Sequence, residues 1–426
     1  MPESAAYPAG CARTHRIADL APGDEAVLAG RIVAGIGEES PRLVDESGEV
    51  WLACGRIPER VRIGDVAEVR GIWRPPEFQA QSHRVLAPAL RAPEGGPAPG
   101  ILRTRARVLS FVRRFFENAG FLEVETPLLV PSPGMEPHLD AFETHYSENG
   151  HVKRYYLPTS PEYAMKRLLS CGFERIFQIC KSFRQDAPGP MHSPEFTLLE
   201  WYRAFADYTT IMADTEHLIH SLVREVTGVS SVMYRGRTID FTPPWQRLSV
   251  REAFARYAGV CADPAGDLDG FIHQARQQGH GSVSPDDPFE VAFFKVFLDA
   301  VEKRLGAGRP MFLVDYPAEM AALARLKQNA PGIAERFELY VCGVELANAF
   351  TELNDPAEQR ARLEDEAARR QHGGRPAYPI DERFLGALEA GMPPAGGIAL
   401  GIDRLLMVLT DARHIRDVVA IPFCNT

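Results

Sequence analysis

The sequence predicts an α+β protein in two parts, a small β domain followed by a larger domain of strands and helices. Three observations predict it. Short strand-like runs broken by Gly, Pro and Asp-Glu-Ser turns fill the chain from about His15 to Pro88. Between Phe177 and Tyr208 the chain alternates apolar residues up to Phe183, gathers turn formers from Ala187 to Pro194, and resumes a strand from Phe196 to Trp201, which outlines a hairpin. Near the C-terminus a glycine-rich strand, starting at Gly396, runs into a helical pattern that reaches Leu409.

In chain order, the N-terminal runs are VLAGRIVAGI, PRLVDESGEVWLACG and DVAEVRGIWR, with Trp51, Trp73 and Phe78 expected in their core. Residues 1–92 are assigned to this domain, 93–100 to a Pro/Gly linker within PALRAPEGGPAPG, and 101–426 to the second domain. Apolar residues at Val108, Phe111, Val112, Phe115 and Ala119 have helical spacing, with Gly120 as C-cap and a strand running to Pro127. Residues 263–308 show helical patterning and no recognisable chemistry. Pro356 to Gln371 reads as a solvated helix, with Glu364 to Glu366 as surface charge, and Glu200 is read the same way.

Composition narrows the classes. At 426 residues, 45% hydrophobic and 24% charged, the chain has an ordinary globular make-up and length for two or three domains. It has no run of eighteen apolar residues, and MPESAAYPAG lacks both a basic and an apolar leader segment, so a cytoplasmic protein is expected. The cysteines, Cys11, Cys54, Cys171, Cys180, Cys261, Cys342 and Cys424, are odd in number and form no CxxC pair, which suits reduced and mostly buried thiols, Cys342 among them as core. The net charge is −10 and the first lysine is Lys153, a balance that argues against a polyanion as main partner.

The hairpin FQICKSFRQDAPGPMHSPEFTLLEWYRAFADY carries the chemistry. A guanidinium at Arg184, where the first strand closes, can form paired charge-assisted hydrogen bonds to a phosphate or carboxylate. Phe196 offers a face to an adenine ring, so the segment reads as an ATP site. It resembles motif 2 of class II aminoacyl-tRNA synthetases; GGIALGIDRLLMVL resembles motif 3, and Val108–Pro127 resembles motif 1, the dimer-forming motif. The resemblance spans roughly the last three quarters of the chain and implies a mostly antiparallel sheet flanked by helices, working as a homodimer. LPTSPEYAMKRL and FELYVCGVELANAFTELND resemble the lysine-type branch. That branch comprises lysyl-tRNA synthetases and a truncated paralogue that ligates (R)-β-lysine to a lysine of elongation factor P. The N-terminal β domain resembles an abbreviated OB-fold, the anticodon-binding domain of that branch. With no lysine in the segment, it is expected not to read an anticodon.

Residue by residue, the resemblance implies that Arg184 and Arg404 act in catalysis. Arg184, Gln185, Asp186, His192, Ser193, Phe196, Glu345, Leu346, Gly401 and Arg404 would bind ATP. Of these, Arg184 would bridge the α-phosphate and the substrate carboxylate, Asp186 would hold the adenine or ribose side, and His192 and Arg404 would take the outer phosphates. Glu338 and Glu345 would hold Mg2+, a hard cation suited to a few carboxylates plus phosphate oxygens. The amino acid would lie among Ser160, Pro161, Glu162, Tyr202, Asn348, Glu352 and Ala399, Glu162 taking the amino group near the carboxylate and Tyr202 with Glu352 the distal ammonium. A diamino acid needs carboxylates at two separated places, which Glu162 and Glu352 can supply. Three departures from the family pattern, Gln185, Asp186 and Ser193, change reach beside the nucleotide.

Two acceptors compete for the activated lysine or β-lysine. Elongation factor P is favoured by Ala399, where lysyl-tRNA synthetases usually have Gly, by LEWYR and GVELANAF, and by the short acidic N-terminal domain; tRNA is favoured by TELND and by the presence of an OB-like domain. A catalytically silent binding paralogue fits less well, because Arg184, Glu345, Glu352 and Arg404 are all present.

Overall fold

The N-terminal strand-like runs close into a barrel. In the computed structural model, which describes residues 11–33, 41–53, 63–87, 89, 99–136, 139–263, 265–321 and 323–423, the chain divides into the units Met1–Thr104 and Arg105–Thr426. The linker assigned to 93–100 lies almost wholly outside the described residues. In the first unit β1 (Glu25–Val33), β2 (Arg42–Asp45), β3 (Gly48–Ala53), β4 (Val66–Arg74) and β5 (Glu77–Ala87) close in the order β1-β2-β3-β5-β4, an OB-like barrel. Alternation puts Leu28, Ile32, Leu43, Leu52, Val69 and Phe78 inside. Trp51 and Trp73 are only partly buried, Trp51 because it sits under the Arg42 guanidinium, 5.0 Å from its ring centre. Strand β5 escaped the sequence reading because EFQAQSHRVLA has little apolar alternation; its partner β4 supplies the buried side.

Helix α1 (Pro99–Asn118) buries Val108, Val112 and Phe116, and Gly120 ends it with a left-handed φ of 75°. The strand expected to run on to Pro127 is only β6 (Leu122–Glu123). The hairpin β7 (Glu143–Glu148) and β8 (His151–Tyr156) leads to α2 (Glu162–Ser170). Strands β9 (Arg175–Phe183) and β10 (Glu195–Ala204) form the antiparallel hairpin the sequence predicts. Helix α3 (Tyr208–Thr227) follows, capped by the Asp207 carboxylate and ended at Gly228.

Next come β11 (Ser231–Tyr234), β12 (Arg237–Asp240), β13 (Gln246–Ser249), α4 (Val250–Ala258), α5 (Leu268–Gln277) and α6 (Phe289–Val296). The helical stretch between 263 and 308 packs Phe271, Phe293 and Phe297 against Phe254, so its patterning serves a satellite core. The remaining elements are β14 (Met311–Pro317), β15 (Leu326–Lys327), β16 (Ala330–Val341), β17 (Val344–Thr351), α7 (Pro356–His372), α8 (Glu382–Glu389), β18 (Ala395–Gly401) and α9 (Ile402–Thr410). A nine-stranded sheet runs β13-β14-β16-β17-β18-β10-β9-β6, with β15 beside β16; it is antiparallel except for the parallel pairs at its two edges, β13–β14 and β6–β9. Among the described residues no helix is long and apolar enough to cross a membrane.

Several expectations need correction. Glu200 is not surface charge: it is 1% exposed, because β10 is a central strand covered on both faces. On α7, Glu364 is exposed as expected, but Glu366 is half-buried and its carboxyl is pushed up to about 8, chiefly by burial. Of the described cysteines, Cys11, Cys171 and Cys261 are exposed and only Cys180 is buried, since three lie outside strands and helices. Cys342 is turn rather than core: with Gly343 it forms the two-residue β16–β17 turn, both at positive φ.

One buried carboxylate joins three elements of the second unit. Asp403, 2% exposed at the start of α9, accepts from the Thr197 amide of β10 at 2.7 Å and from Arg105 of α1 at 2.5 Å. Arg105 also reaches the Thr197 hydroxyl at 2.8 Å. Asp403→Ala is therefore expected to lower unfolding stability by about 3 kcal/mol, because it strands the buried Thr197 amide and removes the carboxylate partner of a mostly buried guanidinium. Urea unfolding of the two proteins checks this; a loss below about 1 kcal/mol would make the joint incidental.

Candidate active site

Strand period and register build the site. On β10 the even-numbered residues Phe196, Leu198, Glu200 and Tyr202 face a cavity of about 380 Å³, while Trp201 turns to the other face and packs on Phe116 of α1, ring centres 5.2 Å apart. Antiparallel pairing sets Ala399 of β18 directly between Glu200 and Asn348 of β17. The neighbouring row is Tyr202, Gly397 and Phe350. Gly397 has to lack a side chain, since a Cβ there would lie 2.1 Å from Glu352 Oε1 and 2.4 Å from the Tyr202 ring.

The structure brings most of the sequence-predicted residues to this one cavity. Ser160, Glu162, Arg184, Asp186, His192, Ser193, Phe196, Tyr202, Glu345, Leu346, Asn348, Glu352, Ala399, Gly401 and Arg404 all line it. Three do not. Gln185 turns away, its amide donating to the Ala141 carbonyl at 2.7 Å. Pro161 lines an adjoining cleft of about 420 Å³ that shares Glu136, Ser160 and Glu162 with the main cavity. Glu338 continues the Glu200–Ala399–Asn348 row onto β16, outside the cavity lining; its two oxygens accept from Arg336 and Tyr340, each at 2.6 Å.

At the nucleotide-like end the parts are cationic and aromatic. Arg184 follows β9, its amide donates to the Pro194 carbonyl, and its guanidinium stacks on Phe196, 5.0 Å from the ring centre. Its Nε is buried without a partner. Arg404 on α9 donates to the Glu345 carbonyl at 2.9 Å, lies 3.4 Å from the Glu345 carboxylate, and sits 3.0 Å from His192 Nε2. Burial and then Arg404 lower the His192 pKa, which favours a neutral ring able to accept from Arg404. Burial and the nearby Glu338 raise the Glu345 carboxyl, a pairing of acids that suits a cation. Glu345 fits a Mg2+ donor directly, and each Glu338 oxygen keeps a second lone pair beside its hydrogen bond.

At the opposite end the acids accumulate. Glu162 opens α2 and Glu352 follows β17, and one ammonium, Lys166 Nζ, lies 2.6 Å from a carboxylate oxygen of each. The expected two separated places are therefore one shared ion cluster, because α2 lays its i, i+4 pair against the end of β17. Glu200 accepts from the Tyr202 hydroxyl at 3.0 Å through Oε2, while its Oε1 and the Oε1 of Glu352 are buried without hydrogen-bond partners. Burial first, then Glu162, pushes the Glu200 carboxyl well above the carboxylate range; Glu352 is raised to about 8 by burial although Lys166 opposes it. Glu136 at the cavity edge is raised for the same reasons, burial and then Glu162. A buried surplus of acid with orphan oxygens is a receptor for a cation.

Sequence reasoning missed Glu136, Glu200 and Lys166. For Glu200 a signal existed: an acid inside the apolar run FTLLEWY has no solvent face to occupy. For Lys166 the i, i+4 spacing to Glu162 was the signal. Glu136 had none, since the elements that half-bury it are distant in the sequence.

Comparison with known proteins gives the family of the chain. A family model described as tRNA synthetases class II (D, K and N) matches residues 96–425. The chain is 42% identical over 324 residues to the lysine–tRNA ligase of Magnetococcus marinus, covering 76% of this chain and 63% of that protein. It is 40% identical over 323 residues to that of Pelotomaculum thermopropionicum, with 76% and 63% covered, and 41% identical over 321 residues to that of Thermosynechococcus vestitus, with 75% and 62% covered. The chain thus spans just under two thirds of the length of these relatives.

The raised Glu352 carboxyl makes cation binding pH-dependent. Below about 8 the free site carries a proton that an incoming ammonium must displace, so affinity for a cationic ligand rises with pH and levels off above 8. Affinity for a primary alkylammonium, followed by thermal shift, is expected to rise roughly five- to tenfold between pH 7 and 8.5. Glu352→Gln should flatten that profile, and a wild-type affinity independent of pH would remove Glu352 from cation recognition.

Proposed function

The chain belongs to the class II tRNA synthetases of the D, K and N group, and from that membership we propose that it activates a lysine-type diamino acid with ATP as an aminoacyl adenylate. The observation that carries the reading is the pair of buried, unpartnered carboxylate oxygens, Glu200 Oε1 and Glu352 Oε1, in a cavity that also holds the unpartnered Arg184 Nε. Two anionic points and one cationic point match two ammoniums and a carboxylate.

In this reading Arg184 holds the substrate carboxylate against the ATP α-phosphate, Phe196 and Asp186 hold the nucleoside, and His192 and Arg404 hold the outer phosphates. One carboxylate oxygen attacks the α-phosphorus in line, the bond to the bridging oxygen breaks, and pyrophosphate departs with that electron pair. Arg184 is already in place for the charge that builds on the phosphoryl oxygens, so little reorganisation is needed. Mg2+, held by Glu345 with Glu338, would offset phosphate charge. An acceptor nucleophile then attacks the acyl carbon and AMP leaves.

For the acceptor we favour a lysine amine of elongation factor P. Support comes from the Ala399 methyl between Glu200 and Asn348, which takes volume that Gly would leave for an α-amino group, and from a barrel segment without lysine. The second reading is tRNA, and it is supported by relatives that are lysine–tRNA ligases and by the closed OB-like barrel. Labelled α- or β-lysine with ATP, offered both acceptors, distinguishes them by where the label goes.

Two substitutions test the chemistry. Arg184→Ala is expected to cut amino-acid-dependent pyrophosphate exchange a hundredfold or more, about 3 kcal/mol, with the fold intact by circular dichroism; exchange near wild type would take Arg184 out of the reaction. Wild type should activate β-lysine better than α-lysine, and Ala399→Gly should move that preference toward α-lysine by ~1–3 kcal/mol. Preference for α-lysine in wild type, together with charging of tRNA, would overturn the elongation factor reading and leave the synthetase reading.

A further inference from the structure

Lys166 is a cation set among the carboxylates of the acidic end, and it is completely enclosed. Its side chain is 0% exposed, and Nζ lies 2.6 Å from Glu162 Oε1 and 2.6 Å from Glu352 Oε2. The rings of Phe350 and Phe384 lie beside it, their centres 5.2 and 5.8 Å from Nζ. An ammonium so held is a fixed part of the site, because a buried cation between two carboxylates cannot leave without stranding both. Its position also decides what the substrate meets. By taking Oε2 of Glu352 it leaves Oε1 over Gly397 and beside Tyr202, facing the cavity without a partner.

The surrounding charge points the same way. Glu136, Glu162, Glu200 and Glu352 crowd this end, and Lys166 pairs with two of them, while Arg184 meets the substrate carboxylate. Without Lys166 these carboxyls would satisfy one another by sharing protons instead of waiting for a ligand.

We propose that Lys166 is a specificity-positioning residue, a resident ammonium that orients Glu352 and offsets part of the acidic charge that an incoming diamino acid meets. This rests on the diamino-acid reading of the cavity. Lys166 touches neither ATP nor the reacting atoms, so its loss acts on amino acid recognition through the two glutamates.

The test compares Lys166→Met, which keeps most of the volume without the charge, with Lys166→Ala, which opens a space the size of a propylammonium ion. In pyrophosphate exchange Lys166→Met is expected to raise the KM for the diamino acid at least tenfold while the KM for ATP stays within twofold. Propylammonium chloride at tens of millimolar should restore at least fivefold of the lost kcat/KM in Lys166→Ala, and propanol or sodium chloride should not. A folded Lys166→Met protein with a wild-type KM for the amino acid, or with equal losses for ATP and amino acid, overturns the proposal. If Lys166→Ala does not fold, the Lys166→Met split decides alone. A wild type that activates no diamino acid sinks the functional reading instead. In that case propylammonium should still raise the melting temperature of Lys166→Ala and not of wild type, and an equal response in both would overturn the role of Lys166.

Discussion

The arrangement of the second unit depends on Asp403. Its carboxylate sits at the first turn of α9, where the helix dipole favours negative charge, and each of its oxygens serves a different neighbour, the β10 backbone and the α1 guanidinium of Arg105. Those contacts fix where α9 leaves β18, and therefore where Arg404, one residue further on, enters the cavity. They also fix the height of β10 against α1, whose Phe116 packs on Phe177 and Trp201 behind the site. With the back face of β10 locked by aromatic packing, its even-numbered residues are held toward the cavity.

On that frame the cavity is divided by charge. One end offers guanidinium, imidazole and an aromatic face; the other offers carboxylates, a phenol and one buried ammonium. Neither set is stable by solvation, since burial raises the Glu200 and Glu352 carboxyls and lowers His192. Burying polar groups without partners costs free energy, so the unpartnered oxygens and nitrogen are best understood as positions kept for a ligand. Lys166 is the exception that makes the acidic end tolerable between ligands, because it cancels part of the repulsion from within.

Backbone register explains why small residues recur here. Ala399 and Gly397 lie on the strand between β10 and β17, so an added atom at Gly397 meets Glu352 and Tyr202, and one at Ala399 enters the cavity. At Gly397 there is no room at all. At Ala399 one methyl already stands between Glu200 and Asn348, which is where a change of one carbon alters the shape presented to an amino acid.

The sequence by itself determined the α+β class, four of the five N-terminal strands, the β9–β10 hairpin, α1, α7, and the strand-to-helix passage that carries Arg404. These follow from local rules, the periods of two and 3.6 and the preferences of Gly, Pro and Asp at turns and caps, which need no knowledge of distant residues. It also determined the cation and aromatic set around Arg184, because these residues fall in short segments of recognisable pattern. Only the tertiary structure decided that Glu200 is buried, that Glu162 and Glu352 share Lys166, that Gln185 turns to Ala141, and that both Glu338 oxygens accept from Arg336 and Tyr340. Each of these depends on which elements pack together, so burial and ion pairing, the quantities that set the charge of the cavity, come from contacts between segments far apart in the chain.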